Sequence, residues 1–283
     1  MDIAVGLPSH VPGTGRDDII AWARHAEQLG FAGLVATDRF AWNQLEPLGV
    51  LAVAGAVTER IRLRTSVALL PNRGSPGPLA KQLASLQVLL GGRLELGVGV
   101  GDRETDYRLA GAEYRGRHRR LETMLEEMAA IWSGAGEYAV VGPRPPVEIP
   151  VLIGGAGQNT WERVARYAAG WTFAVGSPDS FAAGAEGVRE AWVRHGREGR
   201  PSLRAQRYFS LRADRRDAAE EFLRRYFGFL GPAAEHLVAG SPLDERMTTG
   251  VAEAFRSAGA DELAFLPVTS DLAELDRLAE LTL

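Results

Sequence analysis

The chain has 283 residues, 46% of them hydrophobic, with a formal net charge of −4 and no cysteine. That length and apolar content suit one large barrel or two ordinary domains and exclude a disordered or fibrous chain. The charge balance gives no general attraction to nucleic acid or to an anionic membrane. Without thiols there is no disulfide frame, thiolate nucleophile or sulfur-ligated zinc.

No apolar run approaches the ~20 residues of a membrane span, and Met1 leads into IAVGLP without a basic, then apolar, leader; a cytoplasmic protein with no membrane or nucleic-acid partner is expected. Lys81 is the only lysine among many arginines, which suggests the codon bias of a high-GC bacterium.

Strand-like apolar runs alternate with helical patterns almost from end to end, the signature of parallel βα units. Residues 2–7 read as a first strand and 17–29 as its helix, with Ile20, Ala23, Ala26 and Leu29 at helical spacing and Gly30 as the stop. Strands follow at 33–37, 61–69 and 93–98, with helices at 45–58 and 79–90 between them. A long helix over 113–132 precedes a Gly/Pro-rich loop with room for a hairpin. Strands at 151–153, 171–175 and 203–211 then alternate with helices at 159–169 and 181–195. Residues 215–258 hold more than one helix, broken near Gly231 and between Gly240 and Pro242. A last strand, 262–266, and a helix, 272–281, close the chain.

Eight such units predict a single α/β domain over 1–283, a (β/α)8 barrel rather than an open doubly wound sheet. It has an extended loop after the fourth helix and extra helices before the last strand. Barrel chemistry sits at the carboxyl ends of the strands, which directs attention to the residues that follow each one.

After the second strand, LVATDRFAW turns from an apolar run to Asp38 and Arg39 with Phe40 and Trp42 behind. After the fourth, LGVGVGDRETDY carries Gly99 and Gly101. It lacks the immediate helix of a dinucleotide-binding unit, so its glycines either admit a flat ligand to the backbone or form a tight turn. After the fifth, IGGAGQNTWERVA places Gly154, Gly155 and Ala156 before a helix opening on Gln158, Asn159 and Thr160. Free N–H groups there suit a phosphate, although Asn159 or Thr160 could simply cap the helix.

The five histidines show no metal-ligand spacing, so no metal is expected. His10 follows the first strand and could face substrate or be an ordinary loop residue; His118 and His195 read as solvated. Lys81, inside a helix, is poorly placed for a Schiff base. Trp42, Trp171 and Phe173 suit either an apolar pocket or core packing. The basic run RGRHRR, 115–120, is either a solvated face or a contact for an acidic cofactor tail.

Taken together, LGFAGLVATDRF, TERIRLRTSVALLP, LAKQLASLQVLLGGRLELGVGVGDRETDY, and PVLIGG followed by RVARYAAGW resemble the bacterial luciferase-like superfamily of flavin- and deazaflavin-dependent oxidoreductases. The last third, apart from AGADELAFLPV, adds little to the likeness. The resemblance implies a TIM barrel binding FMN or coenzyme F420 at the strand carboxyl ends. It places a non-prolyl cis peptide at Ser66-Val67, with Ala68 beside it, behind the cofactor ring. It sets Asp38 either at the ring's polar edge or as an organiser of the pocket, with a structural role for the Asp38-Arg39 pair as the alternative.

Many F420-dependent relatives have Asp-His where this chain has Asp38-Arg39. An arginine stays protonated, so it stabilises negative charge rather than acting as a base. The phosphate-binding arginine of bacterial luciferase corresponds to Val100, which shifts phosphate onto Gly154, Gly155, Ala156 and Gln158. Asp106-Tyr107 matches an acidic-aromatic pair that either touches ligand or anchors its loop.

The expectation is a two-component monooxygenase using reduced FMN, dioxygen and a small organic substrate, with Asp38, Arg39 and His10 as candidate catalytic residues. A separate flavin reductase would supply the cofactor, and a homodimer is implied. The alternatives are an F420-dependent dehydrogenase or reductase and a non-catalytic flavin-binding barrel.

Overall fold

The computed structural model describes residues 1–283, the side chain of Ala213 apart. Eight strands, β1 (Asp2–Gly6), β2 (Gly33–Ala36), β3 (Arg62–Leu69), β4 (Leu94–Gly99), β5 (Val151–Gly154), β6 (Gly170–Phe173), β7 (Ser202–Phe209) and β8 (Glu262–Pro267), pair in sequence order into one closed barrel. Every pairing is parallel, including β1 with β8. The strands are buried on both faces because helices cover the outside and side chains fill the inside, which is why they read as continuous apolar runs.

Outside lie α1 (Arg16–Leu29), α2 (Pro47–Ala56), α3 (Pro76–Leu89), α4 (Glu104–Leu109), α5 (Arg117–Ser133), α6 (Gln158–Tyr167), α7 (Pro178–Arg194), α8 (Arg216–Phe227), α9 (Ala233–Ala239), α10 (Glu245–Ser257) and α11 (Ala273–Thr282). No helix among the described residues is long and apolar enough to cross a membrane.

The amino-terminal end of the barrel is filled with charge. Arg64 meets Glu262 at 2.5 Å, Arg204 donates to Glu95 at 2.8 Å, and Arg62 bridges Glu262 at 2.9 Å and Asp2 at 2.7 Å. Alternation along β7 then carries inward-facing positions from Arg204 to Gln206 to Tyr208, so polarity climbs one strand toward the opposite mouth. Ser66 on β3 donates to Gln206 across the barrel.

Two sequence expectations fail locally. The loop after α5 forms a 3-10 turn, Gly136–Val140, and no hairpin; the turn docks against α5, and the proline-rich stretch beyond it offers no paired strand. The polar stretch after β4 contains α4, unforeseen because two of its six residues, Asp106 and Tyr107, point inward for local anchoring rather than for core packing.

The helices expected before the last strand are α8, α9 and α10. Of these, α8 caps the mouth: Leu223, Tyr226 and Phe227 form a small second core with Tyr208, Leu266 and Val35.

Candidate functional site

The site is shaped by an irregularity in β3. The Ser66-Val67 peptide is cis, and the register against β4 shifts between Thr65 and Ala68. Thr65 comes so close to β4 that a Cβ at Gly97 would lie 2.0 Å from the Thr65 carbonyl oxygen, and the Thr65 hydroxyl donates to the Gly97 carbonyl at 2.7 Å. The Val67 side chain swings over β4 and β5: a Cβ at Gly99 would stand 2.7 Å from its Cγ2, and one at Gly154 3.1 Å from its Cγ1. Glycines there make room for the Val67 side chain.

The β3 irregularity and the turns after β4 and β5 thereby converge on a single cavity of about 540 Å³ at the carboxyl end of the barrel. Ser66, Val67, Gly99, Gly101, Gly154, Gly155, Ala156 and Asp38 all line it. Ala68 is buried in the barrel wall and does not.

One wing of the cavity runs to the start of α6. Gly155 has φ +133, a conformation few side chains tolerate, and its carbonyl accepts from the Trp171 indole at 2.8 Å. The N–H groups of Gln158 and Asn159 open the helix without helical acceptors, while the Thr160 N–H goes to the Gly157 carbonyl at 2.9 Å and the Thr160 hydroxyl donates to the Ala156 carbonyl at 3.1 Å. Gln158 does not line the cavity as the sequence reading expected: it is exposed at the helix start, and its side chain turns outward to Glu162 at 2.8 Å. Arg163 and His118 complete the rim. Partial burial, followed by repulsion from Arg163 and Arg117, holds the His118 pKa below its usual value.

The opposite wall presents hydroxyls. Tyr208, Tyr226 and Thr37 line the cavity beside Gln206, and burial raises the pKa of both phenols, so each is a protonated donor at neutral pH. Asp38 sits between this wall and the loop after β3. Its carboxylate accepts from the Leu69 N–H at 2.9 Å and from Arg73 at 2.8 Å, while Arg73 also reaches Glu46 at 2.7 Å.

Arg39 and His10 lie off this cavity. A strand end sends consecutive side chains to opposite sides, and Arg39 enters a cage of Trp42, Tyr226 and Phe229, 4.7, 4.8 and 5.4 Å from the ring centroids, where it donates to the Tyr226 carbonyl. His10 is fully buried against Tyr208, Phe222 and Tyr226. Burial lowers its pKa to about 4, so it is neutral at pH 7.

Asp106 and Tyr107 anchor loops: Asp106 accepts from the Ala41 N–H at 2.9 Å and pairs with Arg103 at 2.7 Å, and the Tyr107 hydroxyl donates to the Val100 carbonyl. Trp171 packs in the core on Phe181, Phe173 reaches the cavity edge, and Trp42 borders a neighbouring cavity. Lys81 is exposed, and His195 pairs with Glu162.

Sequence reasoning missed Gln206, Tyr208, Tyr226, Thr37 and Arg163; His118 is exposed, as it was read, but its place on the cavity rim was not foreseen. The alternation of polar residues in RAQRY on β7 was a usable signal for the first two; nothing local marks Tyr226, which arrives from α8.

Comparison with known proteins agrees with this geometry. A protein of Mycobacterium tuberculosis described as uncharacterized is 36% identical over 178 residues, covering 59% of this chain and 62% of its own. An F420-dependent glucose-6-phosphate dehydrogenase of Nocardia farcinica is 30% identical over 187 residues, 59% of this chain and 54% of its own. The alignments thus span less than two thirds of these curated relatives. In fold, the chain is similar to an F420-dependent secondary alcohol dehydrogenase solved with an F420-acetone adduct, with TM-score 0.85, 18% identity and coverage of 99% of this chain and 97% of the other. The model of the luciferase-like monooxygenase family matches residues 1–267. With a closed eightfold barrel, the β3 irregularity and nearly the whole chain matched, the protein belongs to the luciferase-like monooxygenase family.

Proposed function

We propose that the chain is an oxidoreductase that holds a phosphorylated tricyclic redox cofactor, coenzyme F420 ahead of FMN, and exchanges hydride with a small organic substrate at the barrel mouth. The observation that carries this reading is the convergence of the β3 irregularity and the turns after β4 and β5 on one slot, where Val67 packs down onto Gly99 and Gly154. Its volume lies within the ordinary range of small-molecule sites.

The residues fit such a group. Val67 and the glycines would hold the ring; the Gly155 and Ala156 turn with the start of α6 would hold a phosphate. When bound, the cofactor supplies two-electron chemistry that no side chain here can. The chain's own residues do the rest. Ser66 fixes Gln206, whose amide N–H groups then face the ring edge. Tyr208 and Tyr226 donate hydrogen bonds to a substrate oxygen, and α8 keeps water from the mouth. Asp38 sets the loop after β3 and thus one wall of the slot.

F420 is placed first because a relative at 30% identity is named for it. The basic turn opening α5, with Arg117, Arg119 and Arg120 beside His118, also suits an acidic tail. A second reading, an FMN-dependent monooxygenase served by a separate reductase, is favoured by Arg39 standing where a titrating histidine would serve F420 chemistry. Fluorescence titration of the purified chain with each cofactor separates them. Saturable F420 binding at least about tenfold tighter than FMN is expected; FMN binding without F420 binding would overturn the order, and binding of neither would overturn the reading.

A further inference from the structure

A second cavity, of about 490 Å³, adjoins the first and shares Asp38 and Leu69 as a common wall. Its surfaces are mixed. Trp42, Leu45 and Leu79 give an apolar side, while Arg39, Gln44 and Asn72 bring polar groups to it.

Arg39 is the unusual member. It is only 8% exposed, yet among the described residues no carboxylate lies within ion-pair distance of it. One guanidinium N–H goes to the Tyr226 carbonyl, Nε has no acceptor, and three aromatic rings surround the rest. The nearby acids are already committed. Asp38 is taken by Leu69 and Arg73, Glu46 by Arg73 and the Gly49 N–H, and Asp106 by Arg103 and Ala41.

Further unmet groups line the same cavity. Both amide atoms of Asn72 and the Gln44 Oε1 are buried without partners; the Gln44 amide nitrogen is spent on the Thr37 carbonyl at 3.0 Å. Buried charges and polar atoms are normally paired. Here a cation, an amide donor and two carbonyl acceptors without partners belong to residues that line one cavity.

We propose that this second cavity binds a small organic carboxylate with a hydroxyl-bearing aromatic body. The carboxylate would meet Arg39 and the Asn72 amide N–H. The ring would lie against Trp42 and Leu79, and the hydroxyl would donate to Gln44. Arg39 thereby serves an anion beside the cofactor cavity rather than the cofactor itself, and the inference stands independently of which cofactor the first cavity holds.

The probe is 4-hydroxybenzoate, titrated calorimetrically into the full chain, with 4-hydroxybenzyl alcohol as the uncharged match. Saturable binding at one site is expected, weakened at least about tenfold by loss of the probe's charge, by Arg39→Met and by Asn72→Asp. Asn72 is only half-buried and tests the site even if Arg39→Met fails to fold. No saturable binding, equal binding of acid and alcohol, or an Asn72→Asp variant binding like the parent would overturn the proposal. Each of these readouts is separate from cofactor titration.

Discussion

Asp38 faces the cofactor cavity, but its hydrogen bonds make it a structural tie, and this predicts a stability effect without any ligand. In Asp38→Ala the N–H of Leu69, a residue 5% exposed, loses its acceptor. An orphaned buried donor costs about 1–3 kcal/mol. Arg73 keeps Glu46 but loses its inner partner; with both partners partly shielded from solvent, that adds about 1 kcal/mol. The sum is about 2–4 kcal/mol, equivalent to a fall in Tm of about 3–7 °C for a chain of this size.

Asp38→Asn retains an oxygen for Leu69 and should cost only about 1 kcal/mol. Urea unfolding of the ligand-free chain at neutral pH measures both variants. Equal losses in the two, or an alanine variant within about 0.5 kcal/mol of the parent, would refute the assignment of Asp38 as the tie that sets the loop.

Other outcomes follow from the same structure. His10, with its pKa lowered to about 4 by burial, is neutral when folded but binds a proton below pH 6.5 when unfolded. Stability should therefore fall as pH drops from 6.5 toward 4, by about 2 kcal/mol at pH 5. His10→Phe, which keeps the ring packing, should lose that component of the slope in parallel urea titrations. Glu262→Gln should destabilise by about 3–5 kcal/mol because Arg64 and Arg62 lose a shared partner inside the barrel; a thermal melt reads it directly. Gly155→Val forces a β-branched residue to φ +133 against Thr160. It should weaken cofactor binding at least about tenfold, a loss of about 1.4 kcal/mol or more, measured by fluorescence titration.

Much of the barrel was legible because each unit advertises itself locally: apolar runs for doubly buried strands, helical spacing in helices such as residues 17–29, and glycines where the chain must turn. The glycines of β4 and β5 were also legible as places of close approach, although their partner, Val67, was known only through the family likeness. What stayed hidden is long-range. Arg39 and Asp38 are adjacent in sequence yet only Asp38 reaches the first cavity, and the Tyr226 carbonyl that receives Arg39 lies 187 residues away. His10 reads as a loop residue until α8 folds over it. His118 is solvated as the sequence suggests, but only the packing of α5 beside the start of α6 brings it to the cavity rim. Such positions depend on which helix caps the mouth, and no local pattern encodes that.

The central claim is that the β3 irregularity and the turns after β4 and β5 form one slot for a ring and its phosphate. A crystal structure of the chain grown with F420 tests it most directly. The account predicts the ring seated on Val67 between the Gly99 and Gly154 backbones, with a phosphate oxygen at hydrogen-bond distance from amides at the start of α6. A ring bound elsewhere, or a phosphate remote from Gly155 and Thr160, would contradict it.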